Sequence, residues 1–265
     1  MKVIELKYSN TNTYLIEGSK GKILFDTGWA GTFAAFCKCM GDAHVSAQNV
    51  TYVLISHFHP DHVGIAQEIA NLGATIVVMD VQKDFIHAAD SVFAKEKNSS
   101  FLPIREDAVK LVSLADSRAF LRGIGLDGEI VSTPGHSDDS ISLCLDDGSF
   151  FVGDLNPLYE LELHQGTQIE ASWKKLLERK PRVIYYGHAK TATLEQPPDS
   201  DPADKNLHAL TLRIMKYIDK GVTLEKIRKK TGADPVFIED VARMYLTHPG
   251  VGVQGILDRI EIKGR

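Results

Sequence analysis

Ser56-His57-Phe58-His59-Pro60-Asp61-His62 sets four side chains of metal-ligating type within six consecutive residues. It follows the apolar run Tyr52-Val53-Leu54-Ile55, which predicts a buried strand over 51–55, and precedes a helical spacing over 63–71. In an extended loop His57 and His59 project to the same side, so both imidazoles can reach one ion. Asp61 and His62 lie one turn further on and can serve a second. Imidazole and carboxylate suit zinc, with iron and manganese also compatible with the donor set.

Four donors in one loop cannot surround two ions, so further ligands are expected from elsewhere. Three candidates each follow a predicted strand: His136 in Thr133-Pro134-Gly135-His136-Ser137, Asp154 in Phe151-Val152-Gly153-Asp154, and His188 in Tyr185-Tyr186-Gly187-His188. Singly, each reads as a capping aspartate or a loop histidine. Jointly they supply the missing donors at the expected places.

Outward from this loop, β-type runs separated by glycine predict strands over 3–7, 13–17, 22–26, 75–79, 129–133, 140–145, 150–153 and 182–186. Helices are expected over 32–40 and 169–179. Asp146-Asp147-Gly148 reads as a hairpin turn. Residues 81–122 look helical and irregular, and are expected to cover the site. Gln196–Pro202 reads as a stiff polar linker, dividing a catalytic domain (1–195) from a helical one (196–265). Helical spacing recurs over 205–220, 224–230 and 236–246.

Residues 1–199 carry 18 Lys/Arg against 26 Asp/Glu, a net of −8, and residues 200–265 carry 12 against 9, a net of +3. The acidic first part argues against a broad nucleic-acid face and favours a small-molecule substrate. Cys37, Cys39 and Cys144 are odd in number and read as reduced and structural. No apolar run approaches the roughly 20 residues that cross a bilayer, and residues 1–7 alternate like a strand rather than a signal peptide. The expectation is a cytoplasmic protein with no membrane association.

The ordered set H-F-H-P-D-H, T-P-G-H-S, F-V-G-D and Y-Y-G-H, with Asn12-Thr13-Tyr14-Leu15-Ile16 and Ile23-Leu24-Phe25-Asp26-Thr27-Gly28 upstream, resembles the metallo-β-lactamase superfamily over about residues 1–190. The resemblance implies an αββα sandwich with a metal site at one edge between the sheets, and a small helical appendage for which a winged-helix-like form is one option. It also implies that His57, His59 and His136 hold one ion and Asp61, His62 and His188 the other. Asp154 would bridge them, and Asp26 would orient a metal-bound histidine through its other ring nitrogen. A hydroxide bridged between two zinc ions would then attack the substrate, with Asp61 the catalytic candidate for handling the proton.

One such site serves many hydrolyses. A small ester, thioester or lactone leads. A single-strand RNA or DNA phosphodiesterase is the alternative, raised by Lys226-Ile227-Arg228-Lys229-Lys230 on one helix. An iron-dependent sulfur dioxygenase ranks lower, because His62 and His188 are both retained, and a non-catalytic sensor lower still. Trp29, Phe58, Ser137, Asn156, Tyr159 and Tyr186 are the candidates for substrate contact. His248 and the other remaining histidines have no spacing that singles them out. Apolar stripes in the tail need a partner surface, either the catalytic domain or a second copy in a homodimer.

Overall fold

The structure is a computed structural model that describes residues 2–194, 202–248 and 251–263. The linker and the domain boundary expected at 195/196 lie outside the described residues, apart from Pro202, which opens a helix.

Six strands form the first sheet in chain order: β1 (Lys2–Leu6), β2 (Thr13–Glu17), β3 (Lys22–Phe25), β4 (Tyr52–Leu54), β5 (Thr75–Met79) and β6 (Val109–Val112). The first three are antiparallel, and β3 through β6 run parallel. Period-two alternation divides their side chains between two cores. Leu15, Leu24, Val53, Ile76 and Val78 face helices α1 (Phe33–Asp42), α2 (Pro60–Val63), α3 (Ala66–Ala70) and α4 (Asp90–Lys95). Tyr14, Ile16, Ile23, Phe25, Leu54, Val77 and Met79 face the second sheet.

The second sheet contains β7 (Gly128–Ser132), β8 (Ile141–Leu145), β9 (Ser149–Phe151), β10 (Val183–Tyr185) and β11 (Ala192–Thr193), in the order β11-β10-β9-β8-β7. Helix α5 (Ser117–Ile124) adds Leu121 and Ile124 to the core between the sheets. On the outer face, Phe150, Val152 and Ile184 pack with Trp173 and Leu176 of α6 (Gln168–Leu177). The layers are therefore helices, sheet, sheet, helices.

Beyond the sandwich come α7 (Pro202–Asp219), α8 (Leu224–Thr231), α9 (Pro235–Thr247) and α10 (Val253–Lys263). Ile214, Ile227, Ile238, Val241 and Ile256 form a core of their own. Among the described residues this part is helical, with no strand to make a wing.

Two strands and two helices depart from the sequence reading. The helix expected over 63–71 starts at Pro60, whose fixed φ suits a first turn, and is two short helices, Pro60–Val63 and Ala66–Ala70. β6 presents exposed Leu111 at the sheet edge beside Lys110, so its alternation is masked. β11 is two residues long. α10, which the sequence reading did not predict, is held by Asp258, buried and accepting from the Tyr159 hydroxyl at 2.9 Å and the Lys190 backbone N–H at 3.3 Å. The three cysteines are free, and burial pushes the Cys144 thiol up to about 12. No described helix is long and apolar enough to cross a membrane.

Candidate metal centre

Each donor loop leaves a strand at one edge of the sandwich, and buried polar side chains tie the loops together. After β3 the chain turns at Asp26, which adopts φ 62°, a left-handed conformation that aspartate tolerates better than most residues. Its buried carboxylate accepts from Ser56 N at 2.7 Å and Ser56 Oγ at 2.9 Å, and lies 2.9 Å from His62 Nδ1. His62 Nε2 is thereby aimed the other way, into the site. Pro60 takes the first helical position of α2, where its missing N–H costs nothing. That fixes Asp61 and His62 on the first turn.

The other loops are tied to this one. Phe58 N donates to Asp139 Oδ2 at 2.7 Å, and buried Gln82 Nε2 donates to Ile55 O at 3.0 Å and Asp139 O at 3.1 Å. These bonds join the histidine-rich loop to the His136 loop. Asn12 Nδ2 donates to the carbonyls of Tyr186 and Ala189, each at 3.0 Å, and Thr11 Oγ1 donates to Asp61 O at 2.7 Å. His188 Nδ1 sits 2.9 Å from Asn10 O, which turns its Nε2 toward Asp61 Oδ2 at 2.9 Å.

The seven expected donors meet. Three sets have their donor atoms within 4.8 Å of one another: His57, His59 and His136; His57, His62 and Asp154; Asp61, His62 and His188. Asp154 stands between the outer two. Its Oδ1 is 3.2 Å from His62 Nε2, and its Oδ2 is 3.6 Å from His136 Nε2 and 3.4 Å from His188 Nε2. His57 Nε2 is buried without any hydrogen-bond partner, and buried His62 Nε2 and Asp154 Oδ1 have none apart from each other. Buried polar atoms are rarely left so, and three that converge with imidazole and carboxylate chemistry fit a metal ion.

Two glycines let the donors approach so closely. A Cβ on Gly187 would lie 2.5 Å from Asp154 Oδ1 and 3.0 Å from His62 Cε1; one on Gly153, at φ 55°, would lie 2.5 Å from Ser56 Oγ. Gly187→Ala is therefore expected to displace Asp154 and lower metal affinity at least about tenfold while the fold is kept, comparable to losing an orienting contact. Metal titration followed by calorimetry checks this, and wild-type affinity in the variant would contradict it.

The charges divide by surroundings. Burial holds His57 well below its ordinary pKa and lowers His136. Burial also acts to lower His62 and His188, but Asp154, Asp26 and Asp61 around the first and Asp154 and Asp61 around the second outweigh it and raise both. For Asp61, burial is outweighed by His62 and His188, which bring it down to about 2, and Asp154 is held well below the carboxylate range in the same way.

A pH dependence follows. The raised pKa values of His62 and His188 stabilise the metal-free fold fully below about pH 6.5, and that contribution is lost as pH rises through the folded values. The depressed carboxyls act oppositely, their contribution disappearing as pH falls from about 4 toward 2. Metal ligation needs neutral imidazole, so affinity rises with pH. The gap in Tm between metal-loaded and metal-free protein should widen from about pH 6 to about pH 9. Melting curves that show it narrowing would contradict the assignment.

The cluster opens into a cleft of about 540 Å³ lined by His59, Asp61, His136, Asp154 and His188 on one side. Of the six expected substrate contacts, Asn156 and Tyr186 line it. The other four do not, for visible reasons. Phe58 is buried in the helix-side core, and Trp29 packs against the Phe93 ring at 5.2 Å. Ser137 closes its own turn on Ser140 at 2.8 Å, and the Tyr159 hydroxyl is spent on Asp258. Nor do residues 81–122 cover the cleft. Its opposite wall is Met244, His248, Val251, Arg259 and Ile262 from α9, α10 and their connection. No sequence signal marked these, because which helix face meets the cleft is decided by docking.

The model of the metallo-beta-lactamase superfamily matches residues 7–188. A beta-lactamase-like protein 2 homolog of Drosophila melanogaster is 28% identical over 195 residues, 71% of this chain; the chain thus spans 60% of that relative's length. A metallo-beta-lactamase family protein from Thermus thermophilus resembles the fold over 99% of this chain and 92% of its own, at 18% identity and a TM-score of 0.54. The crystal structure of TTHA1623 in a di-iron-bound form covers 77% of this chain and 100% of its own, at 21% identity and a TM-score of 0.54. With the family model spanning every donor loop, from before Asp26 through His188, the chain belongs to the metallo-beta-lactamase superfamily, whose members are generally hydrolases.

Proposed function

We propose that the chain is a hydrolase of a small ester, thioester or lactone that works with two metal ions, zinc in the first place. His57, His59 and His136 would hold one ion and Asp61, His62 and His188 the other, with Asp154 shared between them. The observation that carries this reading is the convergence of His57 Nε2, His62 Nε2 and Asp154 Oδ1, all buried and with no hydrogen-bond partner outside the cluster, beside a cleft that Asp154 itself lines. When bound, the ions would supply Lewis acidity and lower the pKa of a coordinated water.

The chain's own residues then have definite tasks. Asp26 fixes which nitrogen of His62 faces the site. The Asn10 carbonyl does the same for His188. Asp61, with its Oδ2 2.9 Å from His188 and its side chain on the cleft wall, can accept a hydrogen bond from an attacking water and so orient it. Accepting that bond also places the carboxylate to take up the proton that the water gives up, which is how Asp61 would handle the proton. Asn156 and Tyr186 border the space a substrate would enter.

Asp61→Ala is expected to cost about 10²–10⁴ in kcat, the range for a positioned acid–base group. Retention of both ions and most of the turnover would contradict the role given to Asp61. The reading as a whole is tested by quantifying metal per chain while assaying thioesters, lactones, phosphodiesters and short RNAs. Two ions with turnover of one of the small esters is the expected result. Cleavage of RNA with none of the esters would replace this reading by the phosphodiesterase.

A further inference from the structure

We propose that buried Glu160 is a positioning residue that turns the Asn156 amide so that its oxygen faces the cleft. The preferred substrate then carries an N–H donor beside its scissile acyl group, as an ester or thioester of an N-acylated amino acid does. The inference deepens the hydrolase reading by naming the substrate class, and to that extent rests on it.

Glu160 is only 1% exposed, yet the metal centre gives it no task. Burying a carboxylate is costly unless its oxygens are matched. Oε2 accepts from Asn156 Nδ2 at 3.1 Å. Oε1 has no hydrogen-bond partner and lies against Gly255 of α10, where a Cβ would overlap it and stand 3.0 Å from Arg259 Nη1. The guanidinium is therefore the cation facing that side, held in place by Nη1 donating to Gly255 O at 3.1 Å. One buried carboxylate thus joins the helical tail to a residue two places past the metal-donor candidate Asp154.

A carboxylate oxygen only accepts, so the end of the Asn156 amide that meets it is the NH2 group, which fixes the sense of the amide. Oδ1 is the end left over. It takes no hydrogen bond from a described residue and is not among the buried atoms that lack one, and Asn156 lines the cleft. The backbone beneath it is rigid. Fully buried Trp173 donates Nε1–H to Asn156 O at 2.7 Å, and Glu160 N donates to Pro157 O at 2.8 Å. An oriented acceptor favours a ligand that brings a donor, and a ligand that sets another acceptor there leaves both unpaired. The chain neighbours Leu155 and Pro157 line the cleft with hydrocarbon, so on this wall the discrimination falls to Oδ1.

The test titrates zinc-loaded full-length protein calorimetrically with three isosteric series whose carboxylate stands for the acyl group at the ions. They are N-acylglycines, 4-oxo acids with CH2 in place of the N–H, and acyloxyacetates with an ester oxygen there. At one chain length or more, the N-acylglycine should bind at least about fivefold tighter than its 4-oxo counterpart, the effect of one hydrogen bond to an otherwise unpaired acceptor. The acyloxyacetate should bind no tighter than the 4-oxo acid. Asn156→Ala should bring the members of each set to within about twofold of one another. In Glu160→Gln the new amide turns its oxygen to Arg259 and its NH2 to Asn156, so the preference should vanish or pass to the acyloxyacetates, which a mere packing role would not produce. Gly255→Ala, which alters neither polar side chain, should weaken the preference by displacing Oε1. Zinc content, measured alongside, should stay the same in all three variants. Equal affinity across the wild-type series, or a gain that survives Asn156→Ala, would overturn the oriented acceptor. A gain lost in Asn156→Ala but kept in both Glu160→Gln and Gly255→Ala would remove Glu160 from the positioning role. No bond is cleaved in these titrations, so the two readings fail separately. Selectivity for the N–H series with no turnover of any ester, thioester or lactone sinks the hydrolase and leaves the oriented acceptor; turnover without selectivity does the reverse.

Discussion

Replacing Asp154 with Ala is expected to reduce metal content from two ions to at most one per chain and to lower turnover about a thousandfold. Asp154 is the carboxylate within reach of three histidines, His62, His136 and His188, from three different loops. Removing one partner from a buried charge cluster costs about 3–5 kcal/mol, and each 1.36 kcal/mol is a factor of about ten in rate or affinity. Asp154→Asn separates charge from shape: the fold should survive, with metal binding still impaired. Elemental analysis of both variants beside their kcat decides the matter, and two ions retained in Asp154→Ala would remove Asp154 from the shared position.

Asp26→Ala is expected to be the most destabilising single change near the site. Its carboxylate is fully buried and ties Ser56 N, Ser56 Oγ and His62 Nδ1 into one unit. Loss of that unit should cost about 3–5 kcal/mol, roughly 10 °C in Tm for a chain of this size. Asp26→Asn keeps an acceptor for Ser56 N but offers an N–H in place of one carboxylate oxygen. It should destabilise less while weakening metal affinity about 10–100-fold, as outer-shell replacements do. Calorimetric melts with and without metal distinguish the two effects. A melting temperature for Asp26→Ala within a few degrees of wild type would contradict this account of the loop.

The sandwich and its donor loops were legible because they are written locally. β2 and β5 have the expected bounds, and each donor follows a strand whose apolar run announces it. What could not be read depends on distant partners. Phe58 sits between two donors in sequence, yet alternation along the extended loop sends its ring into the helix-side core. Trp29 follows Asp26-Thr27-Gly28 and is drawn away from the site by Phe93. Asp139 and Gln82, which join two donor loops, resemble ordinary loop and helix polars until the fold brings them to Phe58 N and Ile55 O. The basic stretch on α8 lies away from the cleft, whereas the cation that lines it, Arg259, stands alone in sequence on a helix the periodicity did not reveal. The far wall is therefore a product of docking through Asp258 and Gly255, and docking leaves no periodic mark in a sequence.

The most direct test of the central claim, that seven side chains from four loops hold two ions, is anomalous diffraction at the zinc edge from crystals of the zinc-loaded protein. The account predicts two peaks, one among His57, His59 and His136 and one among Asp61, His62 and His188, with Asp154 reaching both. A single peak, or peaks coordinated by residues outside these sets, would contradict it.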